Sequence, residues 1–496
     1  MPKESLGLRY RYLHLRFPRL QRNLRLRSRV MKRMSDFLED EENFVNINTP
    51  TLGPYTAGGA QLFIVPYESK SDNAEKLNEG REYYCLSQSP QTYKQLLMLA
   101  GLERYYQFAV CYRDETARPD RQPEFMQLDL EMSDVGAPEI RSLVERLLVR
   151  CWPDDIYRDT AGPPPLIPFP CMTYDDAINK YGSDKPDTRF AWQLADVTAV
   201  LCSEGCSAER LTASLQDQRC SGHAFVVPRG QKFLAKSTQK SWDELAQKDH
   251  QLSGVSLLTV RRSSDEVALA GALARHLDAS ATRRLIELLG ASPGDTIVLA
   301  AGATQSVLSL LGRLRLLAAD LAEAAGEVVR DRTRLHFHWV VDFPMFELDD
   351  GGGLQSVHHP FTAPRPQDAH LLDTEPLKAR SQHYDLVCNG CEVGGGSVRI
   401  HDSGLQQRVL QLLGIPASDL DYFTEALTMG APPHAGIALG MERLVLLLSG
   451  SSSIREVMAF PKNSQGRCPM TGAPGAVDEE LLRKLKIIGP ASSSPS

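Results

Sequence analysis

Two neighbouring stretches of alternating residues constrain the fold of this 496-residue chain more than any other feature. They cover residues 111–115 and 125–131, and a polar loop joins them. Successive side chains of a strand point to opposite faces, so every second residue of the later stretch forms an apolar face. The other face carries an aromatic ring, an amide and two carboxylates, namely Phe125, Gln127, Asp129 and Glu131. The pattern predicts two antiparallel strands with one face on the core and one polar face.

The polar face has the side chains that a site for a nucleotide and an amino acid needs. Arg113 and Glu115 share one face of the first strand, and an arginine there can bind phosphate. Phe125 offers a stacking surface for a base, and the carboxylates can hold an ammonium group. A strand that simply faces solvent would give the same alternation, so the pattern alone leaves that alternative open.

The bulk composition is that of a globular protein with more than one domain. A chain of 496 residues is too long for one hydrophobic core, so two or three domains are expected. No apolar run approaches the ~20 residues that span a bilayer, and residues 1–16 lack an apolar signal segment, so we predict no membrane partner. Ten cysteines without regular spacing favour a reducing compartment over a disulfide framework.

Positive charge is concentrated near the N terminus, although the net charge of the chain is −7. Such a concentration is typical of a face that binds nucleic acid, and equally of a solvated helix surface. The residues are Arg9, Arg11, Arg16, Arg19, Arg22, Arg25, Arg27, Arg29, Lys32 and Arg33.

The residue composition and the apolar pattern change along the chain. Apolar periodicity predicts a helix over residues 20–38, followed by a β-branched strand over 44–50 that ends at a proline. Residues 194–331 are rich in Ala, Leu, Ser and Arg, and aromatic strand residues return at 335–344. We therefore predict a core that is split by an independent α/β insertion.

A hairpin is predicted over residues 385–393, because Asn389-Gly390 is a strong signal for a type I′ turn. The turn would pair Cys388 with Cys391, and we interpret these cysteines as packing residues rather than metal ligands. Asp385 and Glu392 would share the other face, and two convergent carboxylates suit Mg²⁺. Strict alternation would put Arg399 on the wrong face, unless the glycines at 394–396 form a bulge that resets the register.

Three segments in order resemble the motifs of class II aminoacyl-tRNA synthetases. Residues 44–50 resemble motif 1, Arg113-x-Glu115 with Phe125-x-Gln127 resembles motif 2, and residues 436–443 (Gly-Ile-Ala-Leu-Gly-Met-Glu-Arg) resemble motif 3. Further segments are similar to aspartyl-tRNA synthetases of the bacterial and mitochondrial type, and residues 374–384 favour the mitochondrial branch. These segments are Ser89-Pro-Gln91-Thr-Tyr-Lys94, residues 121–125, 181–186, 358–362, 394–401 and 459–462.

The resemblance implies an ATP site. Arg113 and Arg443 would be catalytic, with Arg113 binding the α-phosphate of ATP and Arg443 binding the γ-phosphate. Glu115 and Phe125 would bind adenine. Asp385 and Glu392 would hold Mg²⁺. The full implied ATP set is Arg113, Asp114, Glu115, Gln122, Phe125, Glu392, Gly440, Met441, Glu442 and Arg443.

The resemblance also implies an aspartate site. Asp129 would be the countercharge of the substrate ammonium group, and Lys94 with Arg399 would clamp the side-chain carboxylate. Two cations there would reject neutral asparagine. For His358 a ligand role is preferred to a purely structural one. The implied set is Ser89, Gln91, Lys94, Arg113, Gln127, Asp129, His358 and Arg399.

The architecture implied by the resemblance is α+β, with an antiparallel sheet flanked by helices and interrupted by an α/β insertion. The expected segments are a linker over 1–20, catalytic halves over 21–193 and 332–475, the insertion over 194–331, and a C-terminal extension over 476–496. The expected partners are L-aspartate, the acceptor end of tRNA(Asp), and a second copy bound through motif 1. The expected location is the mitochondrial matrix.

The sequence departs from the family pattern at three positions and in extent. Gly58 stands where bacterial members have a glutamate, Asn43 replaces a glycine of motif 1, and His14 replaces an acid. A barrel that reads the anticodon would precede residue 1 in the family. An aspartate-adenylate-forming enzyme that does not act on tRNA and a catalytically silent dimeric paralogue therefore stay open as alternatives.

Overall fold

The computed structural model describes residues 3–54, 61–67, 83–114, 121–153, 158–263 and 266–484. The chain divides into two compact units. The first comprises Met1–Phe169, Asp342–Leu386 and Val393–Ser496, and the second comprises Pro170–Val341 with Val387–Glu392.

Helices occur in both units. In the parts of the chain that the structure describes, no helix combines the length and the apolar character needed to cross a membrane. The helices are α1 (Glu4–Arg9), α2 (Arg11–His14), α3 (Pro18–Asp36), α4 (Gln91–Leu99), α5 (Ala137–Arg150), α6 (Arg158–Ala161), α7 (Tyr174–Tyr181), α8 (Thr198–Leu201), α9 (Glu209–Ser214), α10 (Lys236–His250), α11 (Ala279–Leu289), α12 (Thr304–Ala324), α13 (Ser403–Leu412), α14 (Asp421–Thr428), α15 (Met441–Ser449) and α16 (Glu479–Lys484).

The strands likewise fall in both units. They are β1 (Val45–Asn46), β2 (Leu52–Gly53), β3 (Ile64–Pro66), β4 (Tyr83–Leu86), β5 (Arg104–Tyr112), β6 (Glu124–Ser133), β7 (Cys171–Thr173), β8 (Ala195–Asp196), β9 (Cys220–Val227), β10 (Ser256–Ser263), β11 (Glu266–Ala270), β12 (Thr296–Ala303), β13 (Phe337–Val341), β14 (Phe346–Leu348), β15 (Leu354–Ser356), β16 (His383–Cys388), β17 (Cys391–Val398) and β18 (His434–Gly440).

The first unit is built on a sheet whose strands run in the order β1-β5-β6-β18-β17-β16. Strands β5 and β6 pair antiparallel, as the alternation predicts. Strand β18 also pairs antiparallel with β6 and with β17, whereas the short β1 runs parallel to its neighbour β5. Helix α4 packs on β5 and β6, α5 on β18, and α15 on β6 and β18. The predicted antiparallel sheet flanked by helices is confirmed.

Helix α3 precedes the motif 1 segment and has a proline in its first turn, where the missing N–H leaves no hydrogen bond unmade. The helix continues into a π-helical turn, Phe37–Glu41, and the following strand is shorter than predicted, covering Val45–Asn46. Between them Asn43 has φ 55°, a left-handed conformation that asparagine tolerates better than most residues. This conformation explains how Asn43 can replace a glycine.

The hairpin of β16 and β17 turns at Asn389 and Gly390, whose φ angles of 52° and 83° fit the predicted type I′ turn. A strict two-residue turn would place Gly394 opposite Asp385. Instead, a Cβ on Gly395 would approach Asp385 to 2.6 Å, so Gly395 shares the face of Asp385. The pairing therefore shifts by one residue between the turn and the glycines. Arg399 lies four residues after Gly395 and shares its face, so the shift places Arg399 on the face of Asp385, as the predicted bulge requires.

The second unit contains an antiparallel sheet in the order β11-β10-β12-β9-β8. Val298 of β12 faces a cluster that includes Trp242 of α10 and Leu311 of α12. Ile297, next along the same strand, faces the opposite cluster with Leu285 of α11. Helices thus cover both faces of the sheet. The insertion predicted over 194–331 lies within this unit.

Candidate active site

The functional face of the first sheet is set by strand register. Asp129 lies opposite Ala438 and Glu131 lies opposite Gly436, while Ala438 also pairs with Gly395 of β17. Asp129, Glu131 and Arg399 therefore point to one side of the sheet, with the small residues of β18 between them. A Cβ at Gly436 would collide with the Glu131 carboxylate. Glycine at this position allows Glu131 and Arg399 to meet above the intervening strand.

Four buried charged residues form the centre of the face, and we call them the charge quartet: Lys94, Asp129, Glu131 and Arg399. Lys94 Nζ lies 3.0 Å from Asp129 Oδ1 and 3.3 Å from Glu131 Oε2. Arg399 donates to Glu131 from Nε at 3.0 Å and from Nη2 at 3.2 Å. Each side chain is at most 1% exposed, so the alternative of a solvent-facing strand is wrong. Two cations and two carboxylates balance within a dry interior.

The two carboxylates of the quartet have opposite pKa shifts. Burial raises the pKa of Asp129, and Lys94 offsets this only in part. Burial also disfavours the charged form of Glu131, but Arg399 and then Lys94 outweigh it, so the pKa of Glu131 is lowered. Among the described residues, the buried polar atoms without a hydrogen-bond partner include Asp129 Oδ2 and the amide nitrogen of Gln91, the first residue of α4. A buried polar atom without a partner in the protein calls for an explanation, and a ligand that pairs with it is one such explanation.

Glu131 is the member of the quartet that the predicted set of aspartate-binding residues lacks. The alternation placed it on the polar face, but the resemblance assigned it no role. Its partners Arg399 and Lys94 are distant in sequence, and their contact depends on β18 lying between β6 and β17. A strand pattern alone cannot predict that order.

A histidine and a serine contact the guanidinium of Arg399. Its Nη1 lies 2.8 Å from His359 Nε2 and donates to Ser397 Oγ at 2.6 Å. Because the guanidinium can only donate, His359 Nε2 is the acceptor and the ring is neutral. Burial and the charge of Arg399 accordingly hold the pKa of His359 well below its ordinary value. His359 therefore contacts the quartet through Arg399.

His358, whose role as an aspartate ligand stays a prediction, groups with His383 and Asp385. Its ring stacks on His383 with centroids 3.3 Å apart, and His383 Nε2 lies 2.8 Å from Asp385 Oδ1. Within the described ranges, these three residues are the group whose ligand atoms all lie within 4.8 Å of one another, close enough to hold a metal ion. Glu392, the second predicted metal ligand, belongs to the second unit, where its carboxylate lies 3.6 Å from Lys185 Nζ. A metal ion shared by Asp385 and Glu392 stays a prediction.

The predicted nucleotide residues lie at the start of β6. The Arg113 guanidinium lies 5.1 Å from the centre of the Phe125 ring. Gln122 accepts from the Lys462 amide at 2.7 Å and donates to the Lys462 carbonyl at 3.1 Å. Glu115 lies outside the described residues, as does the loop that contains Gly58.

The motif 3 residues lie where β18 meets α15. Gly440 precedes the helix, Met441 is its first residue and is fully buried, and Arg443 follows in the first turn. Glu442 accepts from Arg27 Nη1 at 2.8 Å and from the Met126 amide at 3.1 Å. Glu442 therefore connects the motif 3 helix with helix α3 and with the motif 2 strand β6, while its contact with ATP stays a prediction.

The remaining predicted aspartate residues flank the quartet. Ser89 is half-buried just before α4, and its carbonyl oxygen accepts from the Ser87 hydroxyl at 2.9 Å. Gln127 Oε1 lies 3.2 Å from Cys111 Sγ on the neighbouring strand. The structure thus connects Lys94, Asp129 and Arg399 through Glu131, and it places Gln91 and Gln127 on the elements that carry Lys94 and Asp129.

Comparison with known proteins identifies the class. Residues 3–464 match the family model described as tRNA synthetases class II (D, K and N). With the antiparallel sheet and the three motifs in order, the match shows that the chain belongs to the class II aminoacyl-tRNA synthetases.

Curated relatives narrow the family further. The chain is 45% identical to the human mitochondrial aspartate–tRNA ligase over 490 residues, which covers 98% of this chain and 72% of that protein. It is 41% identical to an aspartate–tRNA(Asp/Asn) ligase of Thermosynechococcus vestitus over 491 residues, 98% of this chain and 77% of that protein. Within its class the chain belongs to the aspartate–tRNA ligases, as the sequence motifs predicted.

A solved structure shares the fold. An asparaginyl-tRNA synthetase of Entamoeba histolytica, in complex with asparaginyl-adenylate, superposes with a TM-score of 0.51. The two are 17% identical, and the match covers 93% of this chain and 71% of that one. At this identity the similarity concerns the fold alone.

Proposed function

We propose that this chain attaches L-aspartate to tRNA(Asp) in two steps. In the first, a carboxylate oxygen of aspartate bonds to the α-phosphorus of ATP while the bond to pyrophosphate breaks, giving aspartyl-adenylate. In the second, a hydroxyl of the terminal adenosine of tRNA(Asp) attacks the aspartyl carbonyl carbon, and AMP leaves. The observation that carries this proposal is the buried charge quartet with one unsatisfied oxygen on Asp129.

The quartet suits aspartate by charge and by geometry. The free Oδ2 of Asp129 can accept the substrate ammonium group, which would favour the ionised form that burial now disfavours. Lys94 and Arg399 would take the side-chain carboxylate. Asparagine would leave these cations facing a neutral amide, and that mismatch is the basis of rejection.

The ATP side of the proposal rests on the start of β6 and on α15. Arg113 lies beside the Phe125 ring and would bind both the α-phosphate and the aspartate α-carboxylate, which holds the reacting groups in line. Phe125 would stack on adenine. Arg443, in the first turn of α15, would bind the γ-phosphate with the field of the helix N terminus.

Mg²⁺ fits the chemistry of the predicted donors, because Asp385 and Glu392 both offer hard carboxylate oxygens. When bound with ATP, the ion would neutralise charge on the phosphates. His383 donates to one oxygen of Asp385, so it would keep that carboxylate in a fixed orientation.

The proposed partners are tRNA(Asp) and a second copy of the chain. Val45 and Leu52, in and just beyond the motif 1 segment, are 47% and 45% exposed, which supports a dimer contact there. The mitochondrial names of the relatives support a mitochondrial location.

Exchange of pyrophosphate into ATP tests the first step, and charging of tRNA(Asp) tests the second. We expect exchange that depends on aspartate, its loss in Lys94→Ala, and unchanged exchange in Lys32→Ala, whose lysine is exposed and pairs with Asp36. Exchange without charging would favour the adenylate-forming alternative. Absence of exchange would favour the silent paralogue.

A further inference from the structure

The two N-terminal helices contain one buried charged residue, Arg11, which is 3% exposed. Its Nε donates to the carbonyl oxygen of Ala459 at 2.9 Å. Its Nη2 donates to the carbonyls of Arg455 at 2.7 Å and Met458 at 2.8 Å. One guanidinium thus holds three backbone carbonyls of residues 455–462, which we call the C-terminal segment.

The other end of the C-terminal segment holds the start of strand β6. The Lys462 backbone exchanges two hydrogen bonds with the Gln122 side chain, at 2.7 and 3.1 Å. Lys462 Nζ also lies 3.0 Å from a carboxylate oxygen of Glu124. Gln122 and Glu124 precede Phe125, so the segment fixes the side of the strand where the ATP site is proposed.

Arg455 connects the two ends of the segment. Its Nε donates to the Lys462 carbonyl at 3.1 Å, and its Nη1 pairs with Glu4 of α1 at 2.6 Å. Its own carbonyl is one of those held by Arg11. A continuous series of hydrogen bonds therefore runs from the N-terminal helices through the C-terminal segment to Gln122.

We propose that Arg11 is a positioning residue for ATP binding, acting through the C-terminal segment on Gln122. The inference rests on the proposed function, since it takes the start of β6 as the ATP side. Without Arg11, three carbonyls lose a charged donor and the segment gains freedom. Gln122 must then be ordered when ATP binds, and that ordering weakens binding. The aspartate side, held by the charge quartet, should be little affected.

The test compares Arg11→Met with a matched variant in the second unit. Arg315 is also buried, and it too donates to three backbone carbonyls, those of Asp187, Phe190 and Trp192. Arg315→Met therefore removes the same kind of contact. We expect Arg11→Met to raise the KM for ATP in exchange about tenfold, which corresponds to about 1.4 kcal/mol, while the KM for aspartate changes less than about twofold. Arg315→Met should leave both KM values unchanged.

A second mutation shows whether the effect passes through Gln122. If it does, Arg11→Met adds little to the KM for ATP in a Gln122→Ala background, because the two changes break the same connection. Arg11→Lys retains a cation that can donate to some of the carbonyls, so its KM for ATP should lie between those of wild type and Arg11→Met. This variant also provides the test if Arg11→Met does not fold.

Three results would overturn the inference: an unchanged KM for ATP in folded Arg11→Met and Arg11→Lys, equal increases for ATP and aspartate, or full additivity with Gln122→Ala. Each of these results is informative only if the wild-type chain exchanges pyrophosphate into ATP in the presence of aspartate. Absence of that exchange contradicts the proposed function instead, and direct titration of the variants with ATP then still tests the role of Arg11.

Discussion

One added methyl group at Gly436 should weaken aspartate binding, although Gly436 is not one of the residues proposed to contact the substrate. An alanine Cβ at this position would collide with the Glu131 carboxylate and with the Leu130 carbonyl oxygen. Glu131 must then move away from Arg399, and the bidentate pair across β18 would break. The change thus tests whether the charge quartet depends on the small residues of the central strand.

The magnitude follows from the contacts that would be lost. Overpacking a dense interior costs about 1–3 kcal/mol, and breaking a buried ion pair costs about 3–5 kcal/mol. Since Lys94 still contacts Glu131, we expect the free energy of unfolding of Gly436→Ala to fall by about 3 kcal/mol. A displaced Arg399 loses about one charge-assisted hydrogen bond to aspartate, so the KM for aspartate should rise about tenfold or more.

The assays are urea unfolding and pyrophosphate exchange at varied aspartate and ATP concentrations. Gly136→Ala is the matched control, because its Cβ would lie at an ordinary 3.5 Å from Glu139 Oε2. It should change neither quantity appreciably. If Gly436→Ala keeps wild-type stability and an unchanged KM for aspartate, the quartet is not what positions the substrate.

Three further changes test other parts of the structure. Glu131→Gln leaves Lys94 and Arg399 facing a single carboxylate, so urea unfolding should show a loss of about 3–5 kcal/mol. His338 is buried and its pKa is lowered to about 4 by desolvation, whereas an unfolded histidine takes up its proton near pH 6.5. This residue alone should therefore lower the free energy of unfolding by about 3 kcal/mol as the pH drops from 6.5 to 4. His338→Phe should remove that part of the fall, measured by urea unfolding at several pH values. Asn43→Ala should lose about 1 kcal/mol in thermal unfolding, because alanine tolerates the left-handed φ of 55° poorly.

Each of these outcomes can fail separately. Wild-type stability in Glu131→Gln would mean that the buried charges are not coupled. Equal pH dependence in wild type and His338→Phe would place the acid-sensitive group elsewhere. An Asn43→Ala variant as stable as wild type would contradict the strain assigned to the turn after α3.

The sequence predicted well what depends on local alternation. The faces of β6 follow from its side-chain order, and the Asn389-Gly390 turn follows from two residues that accept positive φ. The motifs also placed Lys94, Asp129 and Arg399 in one site. These features are local, or they are carried by segments that resemble a known family.

What the sequence did not predict depends on contacts between distant segments. The pairing of Glu131 with Arg399 requires β18 to lie between their strands and Gly436 to leave room. The one-residue shift near Gly395 was only a hypothesis, since a glycine run allows a bulge but does not require one. The contact of His359 with Arg399 and the stack of His358 on His383 likewise depend on loop placement, which periodicity does not encode.

The central claim is that the charge quartet selects aspartate for activation. The most direct measurement is the ratio of kcat/KM for aspartate to that for asparagine in pyrophosphate exchange with the unmodified chain. Two buried cations that require a carboxylate should give a ratio on the order of 10⁴ in favour of aspartate. Comparable values for the two amino acids, or no exchange with aspartate, would contradict the claim.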